Sequence, residues 1–293
     1  MKFGLLPVAD TILLIGAKEK GFFRERGLAV ELVTFQSAPE KDAVAMSGEL
    51  DGHFCEIISV IVQRASGKDF RAVAATSRTD PEKRVFGLVT SPGNAGLSLA
   101  DLRGKDLLVA RRTITDFLAD VFWEDLGFPP DYMEKKDVRK IPVRMQLLLS
   151  DRAAATLIPE PMLSVAERAG GKVLADDRGL DMPLAVVALR GDLPDETVIA
   201  FREAIRDAVA WINENPGEGL GLMAKHNLIP PDLTDTYVLP AFDPAKLPDS
   251  LPDRALYERY LAYLAGIGVL AGEANTGGLR APSWEDATWR AGE

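Results

Sequence analysis

Apolar positions fall in short blocks along this chain, and their spacing alternates between the period of a strand and that of a helix. KFGLLP, at the start, is a short apolar run of the kind a buried strand uses. Residues 11–23 read as a helix carrying Ile12, Leu14 and Ile15 beside Gly16 and Ala17. Gly21 and Gly27 punctuate it, and residues 30–35 read as a second strand. A strand, a helix and a strand with short links predict a parallel βαβ unit, which opens a crevice at the carboxyl ends of its strands. The alternation goes on: a helix opened by Ala38-Pro39 and ending near Gly48, a strand at 50–54, a helix at 56–65, a strand at 70–75, and a polar turn from Thr76 to Pro81.

A second series follows. An extended run at 85–90 leads into the turn Ser91-Pro92-Gly93-Asn94. Then come a strand at 106–110, an amphipathic helix at 113–127, a short strand at 140–143, a helix at 144–149, a strand at 153–158, and a helix at 160–169 closed by Gly170-Gly171. Residues 183–189 are extended again, and helices are expected at 195–213, 218–226 and 254–266. Six prolines between Pro230 and Pro252 keep that region irregular. The extended runs near 85–91 and 183–189 bracket the second series. This predicts an inserted lobe at 86–186, joined by two connectors to a discontinuous lobe made of 1–85 and 187–293, with the cleft between them.

At 293 residues the chain is too long for one ordinary core, in keeping with two lobes. The net charge of −10 and the absence of a Lys/Arg run argue against a nucleic-acid footprint. No window approaches the roughly 18 uninterrupted apolar residues that would span a bilayer. One cysteine, Cys55, precludes an intramolecular disulfide and a multi-cysteine zinc site, and two histidines leave little for a His-based metal centre. No cofactor is expected. The first strand begins almost at Met1 and is broken by Pro7 and Asp10, so no export signal is read; the expectation is an extracytoplasmic protein with its signal absent, or a cytoplasmic one if Met1 is the native start.

The loops after the strands supply the candidate ligand-binding residues Asp10, Thr11, Gln36, Ser37, Cys55, Glu56, Thr76, Ser77, Arg111, Arg112, Thr113 and Thr115. Each has a structural alternative. Asp10, Thr11 and Glu56 stand where a helix would be capped or its dipole met, Cys55 is a small buried filler, and Arg111 or Arg112 pairs with Asp116 or faces solvent. The acids favour an amine or protonated heterocycle and the arginines an acid, so the site suits a zwitterion or an organic ligand with separate polar ends, and a small organic solute is expected in place of a bare inorganic anion. His53, alternating with apolar neighbours, reads as a satisfied core or edge histidine and His226 as a helix-end residue. The catalytic signatures Gly-x-Ser-x-Gly, P-loop, Gly-x-Gly-x-x-Gly and His-Glu-x-x-His are all missing from the sequence.

Several segments resemble one family in order. EKGFFRERGLAVELV is similar to the opening of the SsuA/THI5/NMT1-like solute-binding proteins of ABC importers; SGELDGHFCE, SLADLRGKDLLVA and TLIPEPMLSVAERAG resemble its later motifs. The resemblance implies an α/β, two-lobed type II periplasmic-binding-protein fold, the second lobe inserted in the first and joined by two hinge strands. It also implies a monomer that captures a small-molecule ligand, sulfonate-like or a pyrimidine-type precursor among the choices, and docks on a membrane permease. Glu160, which follows the strand at 153–158 and so lies in one of the strand-end loops, is a candidate on that ground, and its place in the family's Glu-Pro dipeptide adds to it. Arg111-Arg112-Thr113 departs from the small-residue turn common there, and Ser150-Asp151-Arg152-Ala153 replaces the Gly and Asp often seen before the Glu-Pro strand. The alternative on the same fold is a cytosolic enzyme resembling a pyrimidine-precursor synthase or a menaquinone-pathway dehydratase.

Overall fold

A computed structural model describes residues 1–270 and 282–289. The first elements are β1 (Lys2–Leu5), α1 (Ile12–Glu19), α2 (Phe22–Glu25), β2 (Glu31–Thr34), α3 (Ala38–Ser47), β3 (Gly52–Cys55), α4 (Ile57–Ala65) and β4 (Phe70–Arg78). The second series is β5 (Phe86–Thr90), β6 (Asp106–Val109), α5 (Ile114–Asp125), β7 (Glu134–Asp137), α6 (Ile141–Leu149), β8 (Ala155–Pro159), α7 (Met162–Arg168) and β9 (Val173–Asp176). The chain returns through β10 (Pro183–Arg190) and continues as α8 (Asp195–Glu214), α9 (Pro216–Lys225), α10 (Arg254–Gly266) and the short α11 (Trp284–Ala287).

These strands make two five-stranded sheets, ordered β2-β1-β3-β10-β4 and β7-β6-β8-β5-β9. In the first, β1 runs parallel to β2 and β3, while β10 runs antiparallel to β3 and β4. In the second, β6 runs parallel to β7 and β8, while β5 runs antiparallel to β8 and β9. The antiparallel strand of each sheet is the one that arrives from the other sheet. Two crossings therefore join the halves, and they are tied together: Thr79 N donates to Met182 O at 3.0 Å, and Met182 N to Thr79 Oγ1 at 2.9 Å. Asp177 Oδ1 accepts from both Val85 N (2.9 Å) and Phe86 N (3.1 Å), pinning the base of β5.

The inner parallel strands β1, β3, β6 and β8 carry the short apolar pattern of sheets covered on both faces. α8 buries Val198, Phe201, Ala204, Ile205, Ala208, Val209 and Ile212, an i, i+3, i+4 stripe, against α1 and α2. Phe201 packs on Phe3 and Phe23 with ring centroids 5.4 and 4.9 Å away. α10 packs on α4 of the first half, and its Tyr260 and Tyr263 also meet Phe117 of α5 in the second.

Three local expectations are corrected. The helix expected over 11–23 breaks at Gly21, whose φ of 87° halts α1 and lets α2 start in a new direction. Thr76 and Ser77 are not in a turn: β4 runs on through them because β10 pairs with its whole length. The strand expected at 140–143 is the first turn of α6, entered with Pro142 at an early helical position. The strand of that unit lies earlier, as β7, whose Glu-Lys-Lys-Asp sequence has no apolar alternation because it sits at a solvated sheet edge.

Candidate functional site

The carboxyl ends of the parallel strands in both sheets converge on one cleft. It holds about 530 Å³ of space free of atoms, its mouth included. From the first half come Leu6, Val8 and Asp10 after β1, Ala38 at the start of α3, Phe54 and Glu56 at the end of β3, and Leu184 and Ala185 of β10. The second half contributes Phe86, Ala110, the residues 113–115 that open α5, Arg139, Ile141 and Arg144 of the β7–α6 connection, and Pro159. Two backbone hydrogen bonds cross between the halves beside it, from Ala9 N to Glu160 O at 3.0 Å and from Ile141 N to Gln36 O at 3.2 Å. The halves are thus drawn together over the cleft.

Its wall is mostly apolar, and the few polar groups differ sharply in how they are satisfied. Asp10 is 4% exposed, accepts from Thr76 Oγ1 at 3.3 Å, and is raised to about 6 by burial, with the Ser77 and Thr76 hydroxyls pulling it back. Glu56 precedes α4 and is raised to about 7, chiefly by burial, against the opposing charge of Lys41; its Oε2 has no hydrogen-bond partner among the described residues. Arg144 is 2% exposed. Its Nη1 donates to Val138 O at 3.3 Å, its Nε has no partner among the described residues, and burial pushes it down to about 10 against the pull of Asp137. Thr113 Oγ1 donates to Ala110 O at 2.8 Å and Thr115 Oγ1 accepts from Ala110 N at 3.1 Å, so both hydroxyls stiffen the turn into α5.

Of the residues singled out from the sequence, Asp10, Glu56, Thr113 and Thr115 line the cleft together. Several of the others surround it with their side chains already engaged. Thr11 Oγ1 donates to Val8 O, Ser37 Oγ accepts from Glu40 N as the cap of α3, and Thr76 serves Asp10. Gln36 is exposed and reaches the second half through its carbonyl. Cys55 is fully buried between β1 neighbours and β10, its thiol pushed up by burial. Glu160 is ion-paired with Arg84 (3.0 Å) and accepts from Ser164, which ties it into α7. Arg111 and Arg112 are both exposed outside the cleft wall. Arg112 holds φ at 65° while its N–H binds Asp116, and the Arg111 guanidinium lies 3.6 Å from the same carboxylate.

Arg144 went unnoticed in the sequence, where it is one of many charged positions in a helical stretch. The one signal was its place three residues into α6, following a strand end. His53 is buried and neutral, held down to about 3 by burial and by Lys41, whose Nζ is 2.8 Å from Nδ1; Gln63 Oε1 is 3.1 Å from Nε2. Lys41 also pairs with Asp42, making a closed polar cluster behind β3. His226 sits at the end of α9, 3.0 Å from Glu19. Among the described residues no group of three His, Cys, Asp or Glu is arranged to hold a metal ion, and no helix is long and apolar enough to cross a membrane.

The NMT1/THI5-like family profile matches residues 9–219, which includes every cleft-lining residue beyond Leu6 and Val8. The chain belongs to the NMT1/THI5-like family. Curated protein sequences contain no match to it. Solved structures agree in fold. The ligand-binding component of an ABC-type import system from Staphylococcus aureus, solved with zinc bound, superposes with a TM-score of 0.75 at 18% identity, covering 99% of this chain and 96% of that one. The alkanesulfonate-binding protein SsuA from Xanthomonas axonopodis pv. citri, bound to MOPS, gives 0.74 at 14% identity, with 91% of each chain covered. The periplasmic nitrate-binding protein NrtA from Synechocystis PCC 6803 gives 0.72 at 16% identity, covering 93% of this chain and 82% of that one. The NMT1/THI5-like chain thus has the α/β periplasmic-binding-protein fold; the first of these neighbours is the ligand-binding component of an import system and the other two are an alkanesulfonate-binding and a nitrate-binding protein.

Proposed function

We propose that this protein is the solute-binding component of an ABC importer, working outside the cytoplasm, which captures a small organic molecule by closing two lobes over it and presents the closed form to a membrane permease. The observation that carries this reading is the cleft itself: strand ends of two sheets facing one apolar space, with two tied crossings at one side. In this reading one lobe is built on the sheet β2-β1-β3-β10-β4 and the other on β7-β6-β8-β5-β9, so the hinge falls in the two crossings and residues 183–186, at the start of β10, stay with the first lobe. Asp10, Glu56, Thr113 and Thr115 touch the solute, while Thr11, Ser37, Thr76 and Glu160 hold the segments around them in place. Closure would draw its free energy from the solute's greater affinity for the closed state.

An enzymatic role has less behind it. Cys55 is buried with its thiol protonated, and His53 is neutral and bonded to Lys41 and Gln63, so neither presents a nucleophile or base to the cleft. Native mass spectrometry of freshly purified protein is the test. A co-purified small molecule, unchanged in mass after prolonged incubation with the protein, is expected; its conversion to a product would overturn the binding reading in favour of catalysis.

A further inference from the structure

Two residues that line the same cleft each carry a buried polar atom without a hydrogen-bond partner among the described residues, and they are of opposite charge on opposite lobes: Glu56, at Oε2, and Arg144, at Nε. Unpartnered groups this deeply buried are costly to keep, so each calls for an explanation. Neighbouring groups do not relieve them. Asp137 is the acid nearest in influence to Arg144, but its Oδ1 accepts from Arg111 N at 3.0 Å and its Oδ2 from Arg139 Nε at 2.9 Å. On the other lobe, Lys41 is spent on Asp42 and His53, and Thr76 on Asp10. Between the two ends the wall is apolar, formed by Phe54, Phe86, Ile114 and Leu184 among others. The opening of α5, with its positive dipole end, lies on the Arg144 side.

Building on the solute-capture reading, we infer that the solute is a small zwitterion with an apolar body, its carboxylate or sulfonate received by Arg144 and its protonated nitrogen by Glu56. Closure then satisfies both orphaned atoms at once, so an open protein gives up little and the closed one is favoured only with the right solute inside. The raised Glu56 carboxyl fits this arrangement, because an ammonium group beside it would restore its charge. Asp10, already bonded to Thr76, shapes that end of the cleft without being its free acceptor.

The test is calorimetric binding of stripped protein to three matched sets of probes: 4-aminobutyrate, 6-aminohexanoate and 4-(aminomethyl)benzoate, each beside the acid lacking the amine and the amine lacking the acid. At least one two-ended probe should bind about tenfold or more tightly than either of its one-ended partners. Arg144→Gln should reduce that probe to the affinity of the amine alone, and Glu56→Gln to that of the acid alone. The wild-type comparison stands even where a variant fails to fold. Equal binding of one-ended and two-ended probes, no binding of any two-ended probe, or preference for nitrate or sulfate would overturn the zwitterion assignment. Scattering on the same samples separates this from failure of solute capture: compaction with an uncharged or inorganic solute leaves capture standing, whereas binding of any probe without compaction removes it.

Discussion

Glu56 shows how one side chain can be at once legible and misread. Its place between β3 and α4 marks it as a strand-end residue, and the sequence supports an acid meeting a helix dipole there. Burial outweighs the dipole: the carboxyl is raised to about 7. Lys41 and Asp42 from α3, Asp10 after β1 and Tyr260 from α10 surround it, and Arg144 faces the same cleft from α6. The sign of the linkage follows. A carboxyl whose folded value lies above its unfolded one binds extra protons in the native state, so its contribution is fully present at low pH and is lost as pH rises through about 7. Glu56→Gln should therefore leave the solute-free protein about as stable as the parent near pH 4 and more stable at pH 8, by on the order of 3 kcal/mol. Urea unfolding at the two pH values checks it; a pH-independent difference would contradict the burial argument. Arg144 was invisible by comparison, since a sequence cannot say which arginine of a charged stretch turns inward. Arg111 and Arg112, in the more conspicuous position, turn outward because Asp116 and Asp137 bind the backbone of their turn.

Elements with apolar periodicity were readable almost to their ends: α10 spans the residues expected of it, and α4 begins one residue later than expected. What escaped were edge strands. β7 and β9 lie at the two edges of the second sheet, where one side of the strand is unpaired and side chains meet water, so no alternation is imposed on them. With no apolar pattern to mark β7, the Ile141 and Val143 positions at the start of α6 read as the strand instead, and Arg144 does not stand out beside them. At β3 the packing is tighter than any pattern reveals. A Cβ on Gly52 would stand 2.4 Å from Leu189 Cδ2 and 2.8 Å from the Ala188 carbonyl oxygen. The backbone contact cannot rotate away, so Gly52→Ala should cost about 1–3 kcal/mol in thermal or denaturant unfolding. A neutral result would mean that β3 and β10 are looser than their register implies.

Across the whole molecule, the two sheets share one pattern, each with its visiting strand antiparallel in the fourth place. That organisation was predictable from the two extended runs bracketing the inserted series, because a chain that leaves a sheet and returns must cross twice. The placing of α10 was not: it belongs to the first half by sequence, yet Tyr263 donates to Asp116 at 2.8 Å and Arg259 reaches Glu124 at 2.9 Å in the second. Under the proposed hinged capture, opening of the cleft must carry these contacts along or break them. Together with the two backbone bonds beside the cleft, they describe a closed arrangement.

Spin labels at Glu40→Cys on α3 and Lys140→Cys ahead of α6, both exposed, would report the separation of the lobes while buried Cys55 stays unlabelled. The distance would be measured on protein stripped by unfolding and refolding, then again after the small-molecule fraction released in stripping is returned. A longer, broader distribution that shortens and narrows on return is the result expected of hinged capture. One unchanged, narrow distance in both samples would contradict it.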